Sequence, residues 1–212
     1  MYSAIFTTPT GLEQAMRRGI VALVGTGMLL TTATAAWGAS GSSAPDIAEN
    51  AHSAAFERVV IRDVEGDRIG TVLMRQNGDF VQVLATSRTV VPGFHGFHVH
   101  DIGICDPDAA GGPFTTAGGH YTGGDTTHGD HAGDMPSLLV TESGTARLAF
   151  PTDRFTLAEL RAGDGAAVMV HAGRDNFANI PERYSVGDVA GPDATTLATG
   201  DAGSRIGCGV ID

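Results

Sequence analysis

The sequence contains no lysine: all 13 of its basic residues are arginine, against 24 acidic residues, for a net charge of −11 at pH 7. Any task that needs a bound anion therefore falls to a guanidinium. The acidic surplus argues against nucleic acid and anionic membrane surfaces as partners. Cysteine is nearly absent, with only Cys105 and Cys208, 103 residues apart. That spacing excludes a local C-x-x-C metal or redox pair. A single long-range disulfide, which persists only in an oxidising compartment, is the natural use of the two. Long hydrophobic runs are missing too, since the apolar run at residues 19–30 is well short of the ~20 needed to cross a bilayer as a helix. Helix signal is scarce, and only FTLAELRAG, residues 155–163, could form about one turn.

What is present begins with a leader. Arg17 and Arg18 precede the apolar run, and TTATAAWGAS follows it, in the charged, hydrophobic and cleavable order of a signal peptide. Residues 1–39 are expected to be that leader, with cleavage after Ala36 or Ala39. Because Glu13 places an acid where the leader should be positive, MRRGIVALV from Met16 is the better start of translation. Removing the leader leaves a mature chain of −12. The destination is extracytoplasmic: extracellular, periplasmic or associated with the cell envelope. Residues 40–53, small and polar without periodicity, read as a flexible tether in which His52 is a solvated residue.

Residues 54–212 read as one domain of short β-rich runs. They are AAFERVVIRD, RIGTVLMRQ, an NGD turn, DFVQVLATS, GFHGFHVH, PSLLVTE and TARLAF about a Ser143-Gly144 hairpin, GAAVMVHAG and IGCGVI. Eight strands with almost no helix make an all-β antiparallel sandwich or barrel. Two gaps interrupt the rhythm, residues 101–136 and 172–205. Loops longer than ~15 residues without structure of their own are usually functional or disordered. These two hold much of the glycine, histidine and aspartate, so function is the better reading.

In GFHGFHVH, alternation places His98 and His100 on one face and His95, Phe97 and Val99 on the other. His95 is then a structural core histidine, while His98 and His100 form an H-x-H pair on the solvent or loop side. The segment GGHYTGGDTTHGDHAGD adds His120, His128, His131 and Asp134, three imidazoles and a carboxylate that suit tetrahedral zinc. His171 ends an apolar strand on the face opposite Val168 and Val170. Sites rich in imidazole and free of sulfur favour copper or zinc. Six histidines and one aspartate make seven ligands, and a bridging imidazolate supplies the eighth bond of two four-coordinate sites.

As a set these residues resemble the copper/zinc superoxide dismutase family. GFHGFHVHDIGIC resembles its first copper-binding strand and disulfide cysteine, and AGGHYTGG the segment with the bridging histidine. HGDHAGD resembles the end of its zinc loop, VMVHAGRDNF the last copper histidine, and ATGDAGSRIGCGVI its arginine and final strand. The likeness covers roughly residues 54–212. It implies an eight-stranded antiparallel Greek-key β-barrel, an immunoglobulin-like sandwich with two long functional loops. It implies one copper per subunit on His98, His100, His120 and His171, and one zinc on His120, His128, His131 and Asp134, with His120 bridging. By the same likeness Cys105 and Cys208 are the disulfide pair, and Asp175 links a copper histidine to a zinc histidine. Arg205 receives the anion beside copper, and Thr199 narrows the channel. Only two residues separate His128 from His131, fewer than the family pattern implies, and Asp125 and Asp130 are alternative ligands.

The implied function is dismutation of superoxide to oxygen and hydrogen peroxide by copper cycling between Cu(II) and Cu(I), with His120 carrying a proton. The alternative is a secreted copper carrier or store on the same fold, which needs the histidines but not Arg205 or Asp175. A homodimer and a monomer are both compatible with the strand pattern.

Overall fold

The computed structural model describes residues 55–124 and 127–212. The expected leader, the tether with His52, and Asp125 lie outside these residues.

The alternating runs form β1 (Phe56–Arg62), β2 (Arg68–Asn77) and β3 (Phe80–Ser87). GFHGFHVH divides into β4 (Gly93–His95) and β5 (Phe97–His100). They are followed by β6 (Leu138–Val140), β7 (Ala146–Thr152), the short helix α1 (Leu157–Leu160) and β8 (Ala166–His171). A small hairpin of β9 (Ser185–Val186) and β10 (Val189–Ala190), helix α2 (Ala194–Thr199) and β11 (Arg205–Ile211) complete the chain. Seven strands pair antiparallel in the order β5-β8-β11-β1-β2-β3-β7, and β4 pairs with β6. Because β4 runs directly into β5 at one edge of the sheet and β6 leads into β7 at the other, the β4–β6 pair closes the curled sheet into a barrel.

Local chemistry explains the joins. Asn77 pairs with Phe80 across a two-residue loop, and Gly78 supplies the left-handed φ of +61° that such a hairpin requires. Helix α1 starts on a capping box, in which Thr156 and Glu159 each bond the other's backbone N–H. Inside the barrel, Val59, Ile61, Val72, Met74, Phe97 and Val99 belong to one buried apolar cluster. Each such fully buried side chain is worth about 1.5–3 kcal/mol.

Strand β8 is buried along its whole length. Val168 and Val170 face the barrel core, while Ala167 and Met169 join Phe114, Ala117 and Cys208 in a second cluster beneath the first loop. The Cys105–Cys208 disulfide, with Cα atoms 5.7 Å apart, ties that loop to β11. The second loop is not structureless as expected from its composition. It holds the β9–β10 hairpin and α2, which is capped by Asp193 at one end and by left-handed Gly200 at the other.

Candidate metal centre

Strand β5 delivers two histidines to the face opposite the core. His98 and His100 are 0% and 1% exposed, so that face is not open to solvent but lies under the loops. The chain can turn between β4 and β5 because Gly96 has no side chain: a Cβ there would collide with Ala202. His171 reaches the same place from the end of β8. Antiparallel bridges from β5 to the first loop, His98 to Asp134 and His100 to His120, bring the remaining groups in.

Two clusters result, sharing members. One ligand atom from each of His98, His100, His120 and His171 lies within 4.8 Å of every other, and the same holds for His98, His120, His128 and Asp134. The second geometric grouping thus contains His98 where the sequence reading has His131. His98 enters because its ring lies 4.1 Å, centroid to centroid, from that of His120. Its Nε2 is nevertheless committed to Asp175 Oδ2 at 2.7 Å. His131 remains beside this cluster, with its Nδ1 3.4 Å from Asp134 Oδ2. Asp130 joins neither cluster. His95 also stands apart, with its ring nitrogens 2.7 Å from the His171 carbonyl oxygen and 2.8 Å from that of Val91.

The residues fit cations. In the first cluster three histidines turn one nitrogen outward to an acceptor: His98 Nε2 to Asp175, His100 Nδ1 to the Gly118 carbonyl and His171 Nδ1 to the Gly203 carbonyl. Donating a proton at each outer nitrogen leaves lone pairs pointing inward. His100 Nε2 and His171 Nε2 accordingly face each other at 3.4 Å, and His98 Nδ1 is buried with no hydrogen-bond partner. In the second, His128 Nε2 meets Asp175 Oδ1 at 2.7 Å, so its Nδ1 faces His120 Nδ1 at 3.2 Å and Asp134 Oδ1 at 3.1 Å. His131 Nδ1 is the other orphaned buried nitrogen there. In the first cluster, convergent acceptors with no donor between them are what a cation satisfies.

The electrostatics agree for the first cluster. Burial pushes His120 down to about 4, against its bond to Asp134, and pushes His171 down to about 3. His100 is driven well below the ordinary imidazole range by burial and by the charges of His120, Arg205 and His171. Burial also opposes a charge on His128, but its bonds to Asp134 and Asp175 outweigh that and raise it to about 9. Burial would raise both of those carboxyls, yet their histidine partners hold them far below the usual range. With no metal bound His128 therefore favours its charged form, and the proton on its Nδ1 facing Asp134 would give way to a cation.

Arg205, at the start of β11, donates from two guanidinium nitrogens to the carbonyls of Phe114 and Gly118, each at 2.6 Å. Thr199 is half-buried in the last turn of α2, with its hydroxyl donating to the Thr195 carbonyl at 2.8 Å. Four contributors had no sequence signal of their own. The carbonyls of Phe114, Gly118 and Gly203 act through backbone, which any residue carries. Gly200, at φ +59°, packs so closely that a Cβ would collide with the Asp175 carboxylate and the His128 ring.

Comparison with known proteins gives the same picture. A family model described as copper/zinc superoxide dismutase matches residues 68–211. The copper-zinc superoxide dismutase of Mycobacterium tuberculosis is 44% identical over 158 residues, covering 69% of this chain and 66% of that protein's length. That of Mycolicibacterium paratuberculosis is 37% identical over 193 residues, covering 85% of each. The solved structure of Cu/Zn superoxide dismutase from Brucella abortus is 28% identical with a TM-score of 0.57, over 74% of this chain and all of that one. The chain belongs to the copper/zinc superoxide dismutase family.

Proposed function

We propose that this protein converts two superoxide radicals and two protons into one dioxygen and one hydrogen peroxide. His98, His100, His120 and His171 would hold copper, and His120, His128, His131 and Asp134 would hold zinc. The observation that carries this reading is the convergence of unprotonated nitrogens from four buried histidines, three of them aimed by an outer acceptor.

Copper held there would supply the one-electron redox chemistry. Arg205 attracts and orients the anion. Its half-buried charge acts on His100 and His171, and its anchors on Phe114 and Gly118 fix where its other N–H groups point. A local cation of this kind offsets the repulsion expected from a net charge of −11. His120 moves the proton. Asp134 orients its Nδ1, which leaves Nε2 as the atom that can take up and release a proton beside the first cluster. Asp175 accepts from Nε2 of both His98 and His128, so that the two Nδ1 atoms are the ones left to give lone pairs to a metal. By the family likeness, Thr199 narrows the approach to Arg205.

The catalytic domain is residues 54–212, exported behind the 1–39 leader and the 40–53 tether. The Cys105–Cys208 bond supports an oxidising destination.

The test is the product balance of the full chain loaded with copper and zinc. Dismutation yields one oxygen and one peroxide for every two superoxide consumed. Stoichiometric copper binding without turnover would instead make the protein a copper carrier.

A further inference from the structure

The turn at residues 128–131 is held from two sides. On the inner side, Asp134 Oδ2 accepts the N–H of Gly129 at 2.6 Å and that of His131 at 3.1 Å. On the outer side, one guanidinium nitrogen of Arg154 donates to the carbonyls of Gly129 and His131, at 3.2 and 3.0 Å. Arg154 belongs to a different part of the fold, the connection between β7 and α1. The next residue, Phe155, is 2% exposed in the barrel core, and Thr156 opens the capping box of α1. The backbone that carries Arg154 is thus fixed to the barrel. The turn, with two residues between its histidines, has little framework of its own.

We propose that Arg154 is a positioning residue for the zinc-side centre. It holds the turn so that His128 and His131 present their Nδ1 atoms to the Asp134 carboxylate, at 3.1 and 3.4 Å. This rests on the assignment of that cluster to zinc. Asp134 alone is a poor clamp, because the carboxylate that bonds the turn is also one of the groups facing the ion. Arg154 supplies a restraint that metal binding does not compete for.

Charge works in the opposite direction. Among the described residues the only arginine–carboxylate pair is Arg161 with Glu57, so the Arg154 charge is not neutralised by a partner. As a bare cation near a metal site, Arg154 weakens metal binding; as a clamp it strengthens it. The two effects predict opposite signs when the side chain is removed.

The experiment uses the full chain already holding one equivalent of copper. Zinc is titrated against a competing chelator, and Co(II) serves as a probe whose visible bands report the coordination geometry. Arg154→Ala is expected to weaken zinc binding about tenfold, the low end of what groups that orient metal ligands contribute. It is also expected to broaden or shift the Co(II) bands. Arg154→Lys restores part of the affinity, and Arg147→Ala, at an exposed position on β7, changes it less than twofold. Zinc affinity that is unchanged or tighter in Arg154→Ala, with the parent Co(II) spectrum, would overturn the proposal. An equal loss in Arg147→Ala would overturn it as well. If the parent chain itself binds neither zinc nor Co(II) at this cluster, the zinc assignment fails, and with it the role of Arg154.

Discussion

Replacing Asp175 with asparagine keeps its shape and removes its charge. Its two oxygens accept from His98 Nε2 and His128 Nε2, each at 2.7 Å, and Oδ1 also accepts the N–H of Phe177 at 2.7 Å. An amide has one acceptor and one donor end. Whichever way it turns, one imidazole meets a donor with its own donor. That ring then loses its bond or moves its proton to Nδ1, where the metal needs a lone pair. A buried charge-assisted hydrogen bond is worth about 1.5–3 kcal/mol. Summed over the two sites, the product of the copper and zinc dissociation constants should rise about 10- to 100-fold. Chelator competition on the full chain measures both constants, and circular dichroism checks that the barrel is intact. A product altered less than twofold in a folded variant would refute the idea that Asp175 sets the tautomers of the two rings.

Gly200→Ala should weaken zinc binding at least as much as a cap or turn glycine replacement ordinarily destabilises, because it adds a collision with Asp175 and His128 to a strained φ of +59° costing roughly 1–2 kcal/mol. Wild-type zinc affinity and melting temperature in that variant would remove the packing argument. Arg205→Ala should slow superoxide consumption about tenfold or more, the worth of one charge-assisted hydrogen bond, and flatten its dependence on salt. If neither quantity changes, Arg205 does not handle the anion. The metal-free chain should be most stable near neutral pH. His120 and His171 bind protons more readily unfolded, at about 6.5, than folded, at about 4 and about 3, so stability declines as pH falls from about 6.5 through those values. His128, raised to about 9, contributes fully below about 6.5 and loses its contribution as pH rises through about 9. A melting temperature that climbs steadily from pH 7 to pH 4 would contradict this.

Much of the barrel was legible because half-buried strands alternate. Val59 and Ile61, Val72 and Met74, and Val81 and Val83 mark the inner face directly. The same parity separated Phe97 and Val99 from His98 and His100. It could not show that the histidine face is buried, since the cover comes from loops far away in sequence. Nor could it show the break at Gly96, which depends on Ala202 lying against it. Helix α2 was missed although its signals are local: Asp193 caps its start and Gly200 ends it. Six residues in a glycine-rich stretch give too little periodicity to read. The link from Asp175 to His128 was reached only through the family likeness, and the grip of Arg154 on the turn is set by tertiary structure alone.

The most direct test of copper-based dismutation on the four histidines is the rate of superoxide loss by the full chain, with and without copper, beside a His98→Ala variant. Rapid loss that requires copper and collapses in the variant is the expected result. Equal rates in the parent and His98→Ala, at equal copper content, would contradict the assignment of the site.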